Sequence, residues 1–339
     1  MSLTPLERTL NFVNGMPVDR PPFHPIIMQF AARYAGIKYR DFCLNFNSKV
    51  TGMIKCAEDF GLDWVTVMSD AYAEADDFGL QVEYPEDSLP KNIGHLINDI
   101  SDIGHLRVPG ISPSSRMRNR TSEIKEFRRQ VGDKYFIVGW VEGPMAEYVD
   151  LRGLSEACLD LYDAEREVNL AFDVIMENAL NFIKPQIAAG AHCIGIGDAA
   201  CSQIGPELYR RYVKEREREM VSFIHEQGAL AKLHICGNIT AILPDMIEIG
   251  ADIIDVDHLV ADMLPFAPLL GKRQVLSGNS DPVEVIMRGT EEDISAGVAE
   301  CWKQSGGRGI VSAGCEIPLD TSIENFSAYS RAAASLSSD

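Results

Sequence analysis

Three side chains in this sequence suit a soft metal ion: His234, Cys236 and Cys315. His-x-Cys on an extended strand turns both side chains to one face, because a strand repeats every two residues. Two thiolates and an imidazole make a borderline-soft donor set of the kind zinc takes. Three protein ligands leave a fourth position for a substrate or a displaceable carboxylate. Asp257, or else His258, is the candidate for that position. The other cysteines are scattered and form no CxxC pair, so they read as small buried hydrophobes rather than a disulfide framework. Two more acids, Asp70 and Asp198, each follow an apolar run. Each reads either as a catalytic group or as a helix N-cap, the commoner task of an aspartate after a strand.

These residues are far apart in sequence, so the elements between them must gather them. Eight short runs have the character of strands: Phe23–Ile27, Trp64–Met68, Phe136–Val141, Cys193–Ile196, Ala231–Ile235, Ile253–Asp257, Gln274–Ser277 and Ile310–Ala313. Several are continuously apolar, as strands buried on both faces of a parallel sheet are. Helical patterns separate them. Leu154–Ala189 reads as one long helix. Glu207–Gln227 reads as another, opened by Pro206 and closed by Gly228. Strand and helix alternating in this way specify an α/β fold, a (β/α)8 TIM barrel. The expected organisation is a single barrel domain over 1–339. Helix Leu6–Asn14 forms an N-terminal extension, and an insertion falls near 76–130. In such a barrel the chemistry sits at the C-terminal strand ends. Asp70, Asp198, His234, Cys236, Asn279 and Cys315 all fall there, and Asp255 and Asp257 share a face.

Other signals are weaker. Gly195, Gly197 and the Gly306–Gly309 stretch lack a phosphate-loop spacing and read as turn glycines. Glu215–Glu219 reads as a solvated helix face. The net charge is −19, from 31 basic and 50 acidic residues. That argues against nucleic-acid and anionic-membrane partners. Apolar residues make up 46% of the chain, enough to bury a core. No apolar run approaches the roughly 18–20 residues of a membrane span. Met1–Pro5 lacks the features of a signal peptide, so a cytoplasmic protein is expected.

The sequence resembles the uroporphyrinogen decarboxylase superfamily along essentially its whole length. The resemblance rests on Asp19-Arg20-Pro21-Pro22, on Met28 with Ala32-Arg33-Tyr34 and Tyr39-Arg40, on Ser69-Asp70 with Phe78-Gly79, and on Gly278-Asn279-Ser280-Asp281-Pro282. It implies the barrel fold, and it implies substrate-binding roles for Arg33 and Asn279. Two branches differ visibly. The decarboxylase branch holds substrate carboxylates with two arginines near the start and carries Gly-His-Gly near the last strand. Here Arg33 matches one arginine, the other position is Gln29, and the late motif is Gly314-Cys315-Glu316. Asp70 stands where the decarboxylase has its pyrrole-binding aspartate. His234-Ile235-Cys236-Gly237 and Gly314-Cys315 instead resemble the zinc-ligand motifs of methylcobamide:coenzyme M methyltransferases.

The methyltransferase resemblance implies Zn2+ and one-carbon chemistry. A free thiol has a pKa of about 8.5 and is mostly protonated at neutral pH. Bound to zinc it is a thiolate, which attacks the methyl of a methylated corrinoid and leaves the electron pair on cobalt. Asp198 and Asp70 would then position the substrate or carry its proton. No DxHxxG corrinoid motif is present. The corrinoid (methylcobalamin) would therefore come on a separate corrinoid protein. The small-molecule methyl acceptor or donor, the direction of transfer and a homodimer are left open. Two alternatives stand beside this reading: a decarboxylase of a porphyrin-like acid, and a non-catalytic zinc- or corrinoid-binding protein. Because Gln29 and Cys315 replace the groups that would serve a polyacid, incubation with uroporphyrinogen should yield no coproporphyrinogen by chromatography. Rapid conversion would reverse the choice between the two enzyme branches.

Overall fold

The computed structural model describes residues 3–336, so Met1, Ser2 and 337–339 lie outside the description. Seven parallel strands follow one another in sequence order around a curled sheet. They are β1 (Trp64–Thr66), β2 (Phe136–Glu142), β3 (Cys193–Gly197), β4 (Leu230–Ile235), β5 (Ile253–Val256), β6 (Val275–Ser277) and β7 (Gly309–Ile310). Helices cover the outer face, as the apolar strand runs require.

The eighth run, Phe23–Ile27, is not a regular strand. It makes single parallel bridges, Phe23 to Val311 and Ile26 to Glu316. Pro21, Pro22 and Pro25 supply no N–H, so no continuous ladder can form there. The same interruption shortens the expected Ile310–Ala313 strand, of which only Ile310 lies in the regular strand Gly309–Ile310, with isolated bridges at Val311 and Ala313. The segment still closes the barrel. Val311 N donates to Pro22 O at 2.8 Å, His24 N to Val311 O at 2.9 Å, and Asp63 N to Phe23 O at 2.9 Å.

Asp63 clamps this closure from the first strand. Its buried carboxylate accepts from Arg8 Nη1, from Arg20 Nη1 at 2.7 Å and from Phe23 N at 2.7 Å. Arg8 is held in turn by Asp19, Nε to Oδ1 at 2.7 Å. Below the clamp, Val13, Trp64, Phe136, Val138, Cys193, Ile253, Val275 and Ile310 form an apolar plug at the N-terminal end of the strands. Helix Pro5–Val13 lies against it, and Trp64 Nε1 donates to Thr9 Oγ1 at 2.9 Å.

Two helices differ from the periodicity reading. Leu154–Ala189 is broken at Ala164 (φ −137°, ψ 45°) into Leu154–Asp163 and Glu165–Ala189. The apolar repeat runs through the break, so periodicity alone could not show it. The helix expected from Glu207 starts earlier, at Cys201, kinks at Gly205 (φ 71°), and passes through a wide turn at Tyr209–Val213 before Lys214–Glu226. Between β1 and β2 the chain forms helix Ala73–Phe78, a small hairpin (Val82–Glu83 with Lys91–Asn92), a 3-10 turn and helix Arg116–Val131. Among the described residues no helix is long and apolar enough to cross a membrane.

Removing one partner from a buried ion pair leaves the other charges uncompensated and typically costs about 3–5 kcal/mol. Asp63→Ala should therefore lower the unfolding free energy by about that amount in urea titrations. A loss below about 1 kcal/mol, the scale of a surface pair, would mean the clamp does not hold the closure.

Candidate metal centre

Alternation along β4 turns Lys232 and His234 into the barrel, and Cys236 follows two residues on, at the C-terminal rim. Cys315 reaches the same rim from beyond β7. It is seated by Gly314, whose N–H donates to Ser280 O at 2.9 Å. A Cβ at Gly314 would stand 2.0 Å from His258 N, so only glycine lets the chain pass this close. The three donor atoms of His234, Cys236 and Cys315 all lie within 4.8 Å of one another.

The spacing can be tested against zinc. Two thiolates bound tetrahedrally at about 2.3 Å stand about 3.8 Å apart. Cys236 Sγ and Cys315 Sγ are 3.9 Å apart. An imidazole nitrogen and a thiolate on one ion stand about 3.5 Å apart. His234 Nε2 is 3.0 Å from Cys236 Sγ, so the ring would withdraw by about half an ångström. Donor type and sulfur spacing both fit.

The other ring nitrogen of His234 is held from behind. Asp255 is its register partner on β5. Asp255 Oδ2 lies 2.9 Å from His234 Nδ1 and 2.9 Å from Lys232 Nζ, ion-pair contacts that are poorly aligned as hydrogen bonds. All three side chains are buried. Burial pushes Asp255 up, but Lys232 and His234 outweigh it and hold the carboxyl well below the usual range. Burial likewise opposes charge on His234, yet Asp255 and Cys315 raise it to about 9. Cys236 and then His234 draw Cys315 down to about 4. Cys236 moves the other way, raised by Cys315 and by burial. Without metal the trio thus holds one thiolate beside an imidazolium.

The remaining candidates are placed as follows. Asp257 does not join the trio: its oxygens accept from Gly237 N and Leu259 N, each at 2.8 Å. His258 turns to Asp257, Nδ1 to Oδ1 at 3.0 Å. Asp70 is buried in an ion pair with Arg116, Oδ2 to Nη2 at 2.7 Å, and also accepts from Ser69 Oγ and Tyr72 N. Asp198 is fully buried and accepts from Ala146 N at 2.6 Å and Met145 N at 3.4 Å. It therefore caps helix Pro144–Arg152, which follows the neighbouring strand β2, rather than the helix that follows its own strand. Arg33 donates to Thr321 O on the wall of a cavity of about 250 Å³ that Gln29, Tyr39 and Leu319 also line. Asn279 Nδ2 donates to Val260 O at 2.6 Å.

Two readings of the weaker signals change. Gly195 and Gly197 are strand residues that make room for the Trp140 indole, which a Cβ at either would meet at 2.5 Å. Glu217 is not solvated: it is buried against Tyr209, whose hydroxyl donates to it. Sequence reasoning also missed Lys232 and the part Asp255 plays behind His234. A lysine within an apolar strand, two residues before His-x-Cys, was the available signal.

The uroporphyrinogen decarboxylase (URO-D) family model matches residues 4–336. A methylcobamide:CoM methyltransferase MtbA of Methanosarcina mazei is 27% identical over 336 residues, covering 95% of each chain. A uroporphyrinogen decarboxylase of Carboxydothermus hydrogenoformans is 23% identical over 331 residues, covering 93% of each. A solved methyltransferase from Methanosarcina mazei superposes with a TM-score of 0.88 at 24% identity, over 98% of both chains, a likeness of fold.

A thiol pKa drawn below its ordinary value by Cys236 and His234 favours the reactive thiolate at neutral pH. In chelator-treated protein, iodoacetamide should therefore alkylate Cys315 at a rate nearly independent of pH between 6 and 9, with zinc protecting it, as read by peptide mass spectrometry. A rate that climbs with pH as for an ordinary thiol would contradict the imidazolium–thiolate pair.

Proposed function

The chain belongs to the uroporphyrinogen decarboxylase (URO-D) family, whose members are enzymes, and from that premise we propose that it is a zinc-dependent methyltransferase. In this reading a methyl group moves between a corrinoid carried by a separate protein and a small-molecule acceptor or donor in the cytoplasm. The observation that carries the reading is the His234–Cys236–Cys315 trio, with its sulfurs 3.9 Å apart at the catalytic end of the barrel. The methylcobamide:CoM methyltransferase activity of the MtbA relative points the same way.

His234, Cys236 and Cys315 would hold the ion. When bound, zinc supplies Lewis acidity that keeps a substrate thiol as its thiolate at neutral pH. The chain's own residues prepare that place. Asp255 stands 2.9 Å from Nδ1 of His234 as an ion-pair contact, which favours a proton on Nδ1 and leaves Nε2 to face the sulfurs. Lys232 offsets the Asp255 charge in the barrel interior. Asp257 is occupied by backbone N–H groups. The fourth position is therefore assigned to substrate, with no resting carboxylate from this residue.

Asp70 and Asp198 act by positioning in this reading. Asp70 fixes Arg116, and Asp198 anchors the helix after β2 at its first turn. Asn279 holds the Val260 carbonyl, and Arg33 remains at the edge of the mouth. The decarboxylase alternative is less well served. Gln29 is neutral and Arg33 is engaged with the chain, and Asp70 is already matched by Arg116.

The wild-type chain, purified reduced and without chelator, should carry one zinc by mass spectrometry and demethylate methylcobalamin with thiols. Cys236→Ala and Cys315→Ala should each lose most of the metal and the activity while staying folded. Asp255→Asn should weaken zinc about 10–100-fold in chelator competition. A chain that neither carries nor takes up zinc would defeat the proposal, and zinc binding without turnover would leave the non-catalytic alternative.

A further inference from the structure

Beside the metal-ligand trio lies a second group of side chains that the proposed chemistry does not use. Glu142 ends β2, Glu74 lies on the helix after β1, and Glu147 and Asp150 lie on the helix after β2. Register ties Glu142 to the layer of His234, two strands away. Glu142 pairs with Gly197, and Gly197 pairs with His234, so the three share one layer of the barrel. Gly197 has no side chain to intervene, and Glu142 Oε2 lies 3.3 Å from where its Cβ would stand. Glu142 Oε1 accepts from Trp140 Nε1 at 2.8 Å, and the Trp140 ring centre is 6.4 Å from that of His234.

These four acids have almost no cation among them. Arg120 meets Glu74 Oε2 at 3.3 Å, and Glu74 Oε1 accepts from Glu142 N at 3.0 Å. Arg116 is spent on Asp70, and Lys49 is spent on the carbonyls of Val67 and Met68. Both oxygens of Glu147, whose side chain is 1% exposed, and Oδ2 of Asp150 have no hydrogen-bond partner. A buried carboxylate left so is costly, and the cost is met by protonation or by a cation. Burial and the neighbouring acids push Glu142, Glu147 and Asp150 well above the usual carboxylate range, so an arriving cation takes the place of a proton held there. A bare metal ion does not suit the group, because no three of these carboxylates bring oxygens within 4.8 Å of one another. An ammonium group, with several donors spread around one charge, does.

We propose that Glu142, Glu147, Asp150 and Glu74 form the seat for an ammonium group on the small-molecule methyl acceptor or donor. The proposal rests on the methyl-transfer reading for the role of that molecule, though not for its binding. Arg33, Arg116 and Arg120 are each committed to the chain, to Thr321 O, Asp70 and Glu74, and so are not free for an anionic head group.

The zinc-loaded full chain is assayed with methylcobalamin and three thiols of one frame: cysteamine (cationic), 2-mercaptoethanol (neutral) and 2-mercaptoethanesulfonate (anionic). Cysteamine should exceed the other two in kcat/KM by about tenfold or more, and Glu147→Gln and Glu142→Gln should each shrink the cysteamine to 2-mercaptoethanol ratio. Ethylammonium, measured by calorimetry, should bind saturably where ethanol does not, and lose about tenfold or more in affinity in Glu147→Gln. Equal use of the three thiols, or preference for the sulfonate, together with no ethylammonium binding would overturn the proposal while leaving methyl transfer intact. Saturable ethylammonium binding without methyl transfer to any thiol would uphold the seat and defeat the methyl-transfer reading. If either variant fails to fold, the contrast between ethylammonium and ethanol on the wild-type chain decides.

Discussion

The buried carboxylate of Asp63 is the interaction on which the geometry of the rim depends. Two guanidinium groups and one backbone N–H converge on it. They tie the proline-interrupted segment at Phe23 to the start of β1. That segment is the only link, among the described residues, that carries hydrogen bonding from β7 back to β1. Ile26 in the same segment bridges to Glu316, the neighbour of Cys315. Gln29 N then donates to Glu316 Oε1 at 2.8 Å. A force holding Phe23 in place therefore also holds Cys315 beside Cys236. An ion pair suits this place because proline removes the ladder hydrogen bonds that would otherwise do the work.

Within the closed barrel, one layer carries most of the polar character. Glu142, Gly197, His234 and Asp255 stand in register on four successive strands. Glycine at 195 and 197 clears space for Trp140, which lies between the acids and the histidine. Lys232, one layer lower on β4, faces Asp255 and lies over the rings of Trp64 and Trp140 at 5.8 and 6.0 Å. The Asp255 charge is offset locally, by Lys232 and His234, because water cannot screen it there. The apolar plug beneath keeps the layer dry from below.

The same logic separates the two chemistries found in this family. A polyacid substrate needs free cations at the mouth. Here the arginines at the rim are already matched, to Thr321 O, to Asp70 and to Glu74. Two sulfurs and a braced imidazole are what the rim offers in their place. The difference lies in a few side chains on an unchanged frame, so fold likeness alone does not choose between the activities.

The sequence alone determined what repeats locally. Apolar runs marked all seven strands of the sheet, and the alternation of His234 and Cys236 set one face at the end of β4, because a strand's period of two is written in adjacent residues. The motif Gly314-Cys315 was legible as a candidate ligand from its resemblance to a family pattern. Only the tertiary structure decided what depends on residues far apart in sequence. It brought Cys315 to 3.9 Å from Cys236, set Asp255 behind His234, and turned Asp257 away to Gly237 and Leu259. It buried Glu217 in a run that composition marks as solvated, and assigned Asp198 to a helix beside a different strand. It also broke the helix at Ala164, where the apolar repeat continues undisturbed. Local pattern fixes which way a side chain points from its own backbone. Which partner it meets there is set by barrel closure and strand register, and those are properties of the whole chain.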